Sequence, residues 1–92
     1  MIQSFRGHDI EELALTGSSR KWASLKTAVL KKLDALEVAK QLEDLKFPPG
    51  NRLEKLTGNR EGQHSIRVNR QWRICFTWKT DGAHAVEIVD YQ

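Results

Sequence analysis

The sequence predicts an α+β domain in which two or three helices cover one face of an antiparallel β-meander. Three observations carry this. Trp22, Leu25, Val29, Leu33 and Leu36 recur at steps of three and four, the apolar stripe of an amphipathic helix. Phe47-Pro48-Pro49-Gly50 then stops the helical pattern, because proline disfavours helix in the residue before it. Beyond that punctuation, apolar and polar residues alternate between turn residues, as strands do. Helices first and strands afterwards place the helices together on one side of the sheet.

Taken in order, Ile2-Gln3-Ser4-Phe5 alternates and reads as a short strand broken by Gly7. Asp9 is positioned to cap a short helix through Ile10, Leu13 and Ala14, ended by Gly17. Ser18 or Ser19 can cap the main helix, whose polar side carries Lys26, Lys31, Lys32 and Asp34. Val38, Leu42 and Leu45 continue the apolar face, either in the same helix or in a separate one after a bend. Four strands follow, over residues 52–56, 63–68, 72–78 and 83–91, with turns at 57–59, 69–71 and 80–82.

A chain of 92 residues has room for one domain, here spanning 1–92, and can bury one core. Hydrophobic residues at 39% and charged ones at 29% exclude disorder as the native state. No apolar run approaches the roughly 18–20 residues of a membrane span. The opening Met1-Ile2-Gln3-Ser4-Phe5 is too short and polar for a secretory signal. One cysteine, Cys75, cannot pair internally, which suits a reducing, cytoplasmic compartment. His8, His64 and His84 are scattered and match no zinc spacing, so no metal or cofactor is expected.

The charge is unevenly spread. Residues 1–46 hold eight basic and seven acidic side chains, mostly lysine among the basic ones. Residues 52–73 hold six basic ones (Arg52, Lys55, Arg60, Arg67, Arg70, Arg73) against Glu54 and Glu61. Five of those six are arginine, whose planar fork of donors matches phosphate. A solvated basic surface and a nucleic-acid groove both fit this bias. Alternation sharpens the choice. Trp72, Ile74, Phe76 and Trp78 must face the core, as must Ile66, Val68, Val86 and Ile88, with His64 on the same side. Gln63, Ser65, Arg67, Arg73, Cys75, Glu87 and Tyr91 then share the opposite face. Two arginines and a tyrosine there suit a phosphodiester and a stacked base, and also suit an ordinary polar sheet face.

The segment 56–68 contains Gly58-Asn59-Arg60-Glu61-Gly62-Gln63-His64-Ser65-Ile66-Arg67-Val68 and is followed by Trp72-Arg73-Ile74. It resembles the HigB branch of the RelE/ParE toxin superfamily (the plasmid maintenance killer proteins), with the pattern G-x-R-x-G-x-x-S-I-R-V and then W-R-I. The closing Glu87-Ile88-Val89-Asp90-Tyr91-Gln92, the Pro48-Pro49-Gly50-Asn51-Arg52-Leu53 turn and the opening strand are also similar, so the resemblance covers the whole chain. It implies the RelE-like microbial RNase fold. It also implies a metal-independent, ribosome-dependent endonuclease that cuts messenger RNA in the A site of the 70S ribosome. The implied partner is a helix-turn-helix HigA-like antitoxin that neutralises the toxin and carries it to operator DNA.

By the same resemblance, Arg67 and Arg73 hold the scissile phosphate, Tyr91 orients or stacks a nucleotide, and Asp90 supports them. Glu54 stands where the family often has His or Glu. It is the candidate to take the 2′-hydroxyl proton, with a plain Arg/Glu ion pair as its other reading. Arg52, Lys55, Arg60 and Arg70 supply docking charge for ribosomal RNA. Gln92 stands where relatives often have His and cannot exchange a proton near neutral pH, which implies a weaker enzyme. Two other functions fit the same residues. One is a diverged binding module that targets gyrase or only its antitoxin, and the other is a free-standing RNA-binding domain.

Overall fold

The structure, a computed structural model, describes residues 1–90. Its helices are α1 (His8–Thr16) and α2 (Lys26–Val38), and its strands are β1 (Glu54–Lys55), β2 (His64–Arg67), β3 (Trp72–Lys79) and β4 (Gly82–Asp90). Every neighbouring pair in the sheet order β1-β2-β3-β4 is antiparallel. The opening residues pair in parallel with β4, through bridges Ile2↔Ala83 and Phe5↔Val86. That approach is close enough to require glycine at 82, where a Cβ would lie 1.9 Å from the Met1 carbonyl oxygen.

One sheet face packs on the helices. Ile66, Ile74, Phe76 and Val86 meet Leu13, Val29, Leu33 and Leu36, all fully or almost fully buried. Burying each such side chain contributes about 1.5–3 kcal/mol, and this is what holds the two layers together. Trp22 joins the core edge-on to Trp72, with ring centroids 5.0 Å apart. None of the helices in the described residues is long and apolar enough to cross a membrane.

Several local expectations change. Gly7, not Asp9, precedes α1, and Asp9 lies inside the first turn, where its charge favours the positive end of the helix. Gly17 ends that helix in the left-handed conformation as expected, and its N–H reaches the Leu13 carbonyl. Neither Ser18 nor Ser19 caps α2. A 3-10 turn at Ala23–Leu25 intervenes, and the helix starts at Lys26 without a side-chain cap. The open question after Leu36 resolves into two elements. α2 ends at Val38, which is exposed, and a separate 3-10 turn at Leu42–Lys46 buries Leu45. Asp44 closes a capping box there, and the backbone N–H groups of Lys40 and Gln41 hold its carboxyl below the usual range.

The strand expected over 52–56 shrinks to Glu54–Lys55, and Arg52, left-handed at φ 45°, stands outside it. β4 contains a bulge opposite Phe76, with Ala85 at φ 52°. The extra residue turns Ala83 inward beside Val86, a core position that strict alternation does not show. Tyr91 and Gln92 lie outside the described residues.

Candidate functional site

The register sorts the outer sheet face into rows. Glu54, Ser65, Cys75 and Glu87 form one row, and Arg67, Arg73 and Val89 the next. Alternation therefore places Arg67, Arg73, Ser65, Cys75 and Glu87 on the shared face that the sequence implies. Their exposure is another matter. Ser65, Cys75 and Arg73 are all buried; Arg60 reaches across this face to Glu87, and the Arg52 carbonyl accepts from Arg73.

Arg73 is 4% exposed. Its Nε donates to Ser65 Oγ at 2.8 Å, and its Nη2 donates to the Arg52 carbonyl at 2.6 Å and the Ser65 carbonyl at 3.3 Å. Glu54 Oε2 lies 4.0 Å from the same Nη2. A guanidinium tied in this way is held in one orientation. Arg67 is half-buried, and its Nε donates to the Asn69 carbonyl at 3.1 Å. Asn69 shapes the β2–β3 turn, where its Oδ1 accepts from the backbone N–H groups of Gln71 and Trp72 at 2.9 Å each.

These residues surround a cavity of about 280 Å³ lined by Arg52, Glu54, Arg67, Asn69, Arg70 and Arg73. Among the described residues its walls hold four arginines and one carboxylate, Glu54, a surplus of positive charge, and it opens to solvent beside exposed Arg52 and Arg70. The surplus and the fork geometry suit a phosphate or phosphodiester. Among the described residues, no three His, Cys, Asp or Glu side chains come together as metal ligands do.

Not every candidate joins this cavity. Arg60 donates to Gln63 Oε1 at 3.1 Å and to Glu87 Oε1 at 3.4 Å, and Arg6 also lies 3.8 Å from Glu87. Its charge is therefore compensated within the fold instead of offered to a ligand. Beneath that pair, burial pushes the Cys75 thiol up. Lys55 pairs across with His64 and so points to the opposite side from Glu54. His64 itself lies 6.4 Å from Phe76, ring to ring, on the helix-covered side, as alternation implies. Burial first, and the nearby Lys55 charge second, pull the His64 pKa below 6.5. Asp90 faces with Trp72, away from Arg73, and its carboxylate accepts from Gln71 Nε2 at 3.1 Å. The support expected from Asp90 is thus separated from the cavity by the sheet. Tyr91 and Gln92 fall outside the described residues.

Sequence reasoning missed Asn69 and Asn51. Asn69 was legible only as a turn residue, and its contribution to the cavity wall follows from the turn's position. Asn51 is completely buried beside the cavity and carried no sequence signal beyond following Pro-Pro-Gly.

A family model described as the RelE-like toxin of type II toxin-antitoxin system HigB matches residues 4–92. Over 56 residues the chain is 48% identical to Toxin HigB-1 of Vibrio cholerae, covering 61% of this chain and 59% of that protein. Over 59 residues it is 32% identical to an uncharacterized protein of Haemophilus influenzae, covering 64% of this chain and 58% of that one. The chain thus matches less than two thirds of the length of either relative. In three dimensions it superposes on a chain of the YoeB-YefM complex from Staphylococcus aureus. The TM-score is 0.61 over 100% of this chain and 98% of the other. At 15% identity that likeness is one of fold.

Proposed function

Because the chain belongs to the HigB-like family of RelE-like type II toxins, we propose that it is a ribosome-dependent messenger-RNA endonuclease that cuts in the ribosomal A site. The observation that carries this reading is the cavity in which Arg52, Arg67, Arg70 and Arg73 face Glu54. In RNA cleavage without a metal, the 2′-hydroxyl loses its proton and its oxygen attacks the adjacent phosphorus. The bond to the 5′ oxygen breaks, and that oxygen takes up a proton. Cations must stabilise the negative charge that accumulates on the phosphorus oxygens in between.

In this assignment Arg67 contacts the scissile phosphate, and Arg73 acts from a fixed position behind it. Glu54, on the cavity wall 4.0 Å from Arg73, takes the 2′-hydroxyl proton. Exposed Arg52 and Arg70 draw the RNA strand into the mouth of the cavity. Tyr91 stacks on or orients a nucleotide. Gln92, in place of the family's frequent His, leaves the leaving oxygen without an imidazole donor from that position.

The proposed partners are the 70S ribosome with its messenger RNA and a HigA-like helix-turn-helix antitoxin, with operator DNA reached through the antitoxin. The occurrence of the structural neighbour in a complex with YefM supports a partnered life for this fold. The proposed compartment is the cytoplasm.

The test is expression under a tight promoter, followed by primer extension on messenger RNA. Growth arrest with cuts in codon register, absent in Arg67→Ala at equal expression, is the expected result. Arrest with DNA-damage signalling and intact messages would instead make the protein a gyrase poison. Affinity for free RNA without ribosome dependence would make it a plain RNA-binding domain.

A further inference from the structure

Arg52 adopts φ 45° and ψ 56°, a left-handed conformation that a side chain with a Cβ rarely takes. Such a conformation persists only where its surroundings determine it from several sides. Here they do. The Arg52 carbonyl accepts from the buried Arg73 at 2.6 Å. On the other side, the preceding Asn51 is wholly buried, and its Nδ2 donates to the carbonyls of Leu45 and Phe47 at 3.1 Å each. Its Oδ1 accepts from Lys32 Nζ, which projects from α2. Burial first, and the neighbouring Lys31 charge second, lower the Lys32 pKa. The backbone N–H groups of Asn51 and Arg52 reach Pro48 and Pro49 at 2.9 and 3.1 Å. The 45–52 connection is thereby pinned to α2 at one end and to β3 at the other.

We propose that Asn51 is a positioning residue for the cavity. It holds residue 52 in the left-handed turn that both aims Arg52 at the cavity and presents the carbonyl that orients Arg73. Asn51 does not line the cavity and acts only through its neighbours. The proposal deepens the nuclease reading and rests on it for the consequence in cleavage. The bracket itself is a statement about anion binding. The sequence reason for asparagine is its dual amide: two carbonyls need a donor and Lys32 needs an acceptor, and a buried Asp, Leu or Ala cannot serve both.

The test measures two quantities on the intact protein: cleavage in a translating extract, and the affinity for inorganic phosphate followed on arginine Nε–H NMR signals. The variants are Asn51→Ala, Lys32→Met, Arg52→Gly, and Asn51→Ala combined with Arg52→Gly. Asn51→Ala is expected to lower cleavage by about 10²-fold, the scale of a misplaced site, and to weaken phosphate binding. Lys32→Met keeps both carbonyl bonds and the fold, and shows a smaller loss of the same two kinds, so the proposal is testable even if Asn51→Ala does not fold. Glycine takes the left-handed turn unaided, so Asn51→Ala is expected to cost little further in the Arg52→Gly background. Losses that simply multiply in the double variant overturn the proposal, because Asn51 then acts elsewhere than through residue 52. Wild-type phosphate affinity in Lys32→Met overturns it as well. If the wild-type protein makes no cut at all, the nuclease reading falls, and the phosphate titration alone still decides the bracket.

Discussion

At the β2–β3 turn end of the outer sheet face, Arg52, Arg67, Arg70 and Arg73 line a cavity with Glu54, its one carboxylate among the described residues. Further across the same face, in the row of Glu54, Ser65 and Cys75, Glu87 takes Arg60 at 3.4 Å and Arg6 at 3.8 Å, two cations to one carboxylate. The two groupings use the same residue types on the same face. The Glu87 side chain is 17% exposed and the Glu54 side chain 44%. Glu87 lies half-covered between its two ion pairs, and Glu54 is the more open of the two carboxylates to solvent. An arginine count therefore does not locate a site. The ratio of cations to neighbouring carboxylates is the better guide, because an anion is drawn to the net charge of a grouping.

The comparison is sharpened most by removing the two central arginines. Arg67→Ala and Arg73→Ala should each slow cleavage by about 10²–10³-fold, the usual effect of losing one transition-state donor, worth about 2.7–4 kcal/mol. They should differ in stability. Arg73→Ala leaves the buried Ser65 hydroxyl and the Arg52 carbonyl without their donor. It should lose about 1–3 kcal/mol in urea unfolding, whereas Arg67→Ala unfolds close to wild type. An Arg73→Ala protein with an unchanged urea midpoint would refute this structural role of Arg73, and an Arg67→Ala protein that still arrests growth would remove Arg67 from the site.

Next comes the mouth of the cavity. Arg70→Gln should weaken ribosome association and make its salt dependence shallower, by about 0.7 in the log–log slope for each phosphate no longer neutralised. Single-turnover cleavage at saturating ribosome should fall far less than in Arg67→Ala. Equal losses would move Arg70 into the reacting centre.

The Glu87 grouping gives a smaller effect. Arg60→Ala should leave ribosome affinity and cleavage unchanged and lower stability by at most about 1 kcal/mol, as partly exposed ion pairs do. A drop in ribosome affinity comparable to Arg70→Gln would erase the distinction between the two groupings.

The smallest effect lies on the helix-covered face. The folded His64 has its pKa below 6.5, so on acidification the unfolded chain binds that proton first. The contribution is fully present above the unfolded value and is lost as pH falls through the folded one. Thermal scans from about pH 7.5 to 5.5 should show a falling Tm that is shallower in His64→Gln, across the range where histidine titrates. Parallel curves would show that His64 is not the group responsible.

Much of this architecture was legible from spacing alone. The steps between Trp22 and Leu36 mark the buried side of α2 and its entry, and the alternation from Trp72 to Trp78 separates the core residues from Arg73 and Cys75. The Pro-Pro-Gly stop and the Thr80-Asp81-Gly82 turn divide the chain where the elements change. The caps were less legible, because several residues near a helix start can serve and packing chooses among them. Asp9 and Ser19 were reasonable caps by type, but Gly7 precedes α1 and Ser19 is buried.

Which side chains share a face could be read from residue order alone, because a strand's period of two and a helix's of 3.6 are properties of the backbone. The sequence also carried the motif from Gly58 to Val68 on which the resemblance rests, within the 4–92 stretch that the family model matches. Which arginines gather at the cavity and which lie on Glu87 follows instead from contacts between distant segments. Arg60 lies 27 residues from Glu87 in the chain, and Arg73 lies 21 from the Arg52 carbonyl and eight from Ser65. Those pairings depend on a left-handed turn at Arg52 and on the turn at Gly58–Arg60 that brings Arg60 to Glu87. Neither follows from local pattern, because each is held by hydrogen bonds between segments that meet only once the core has formed.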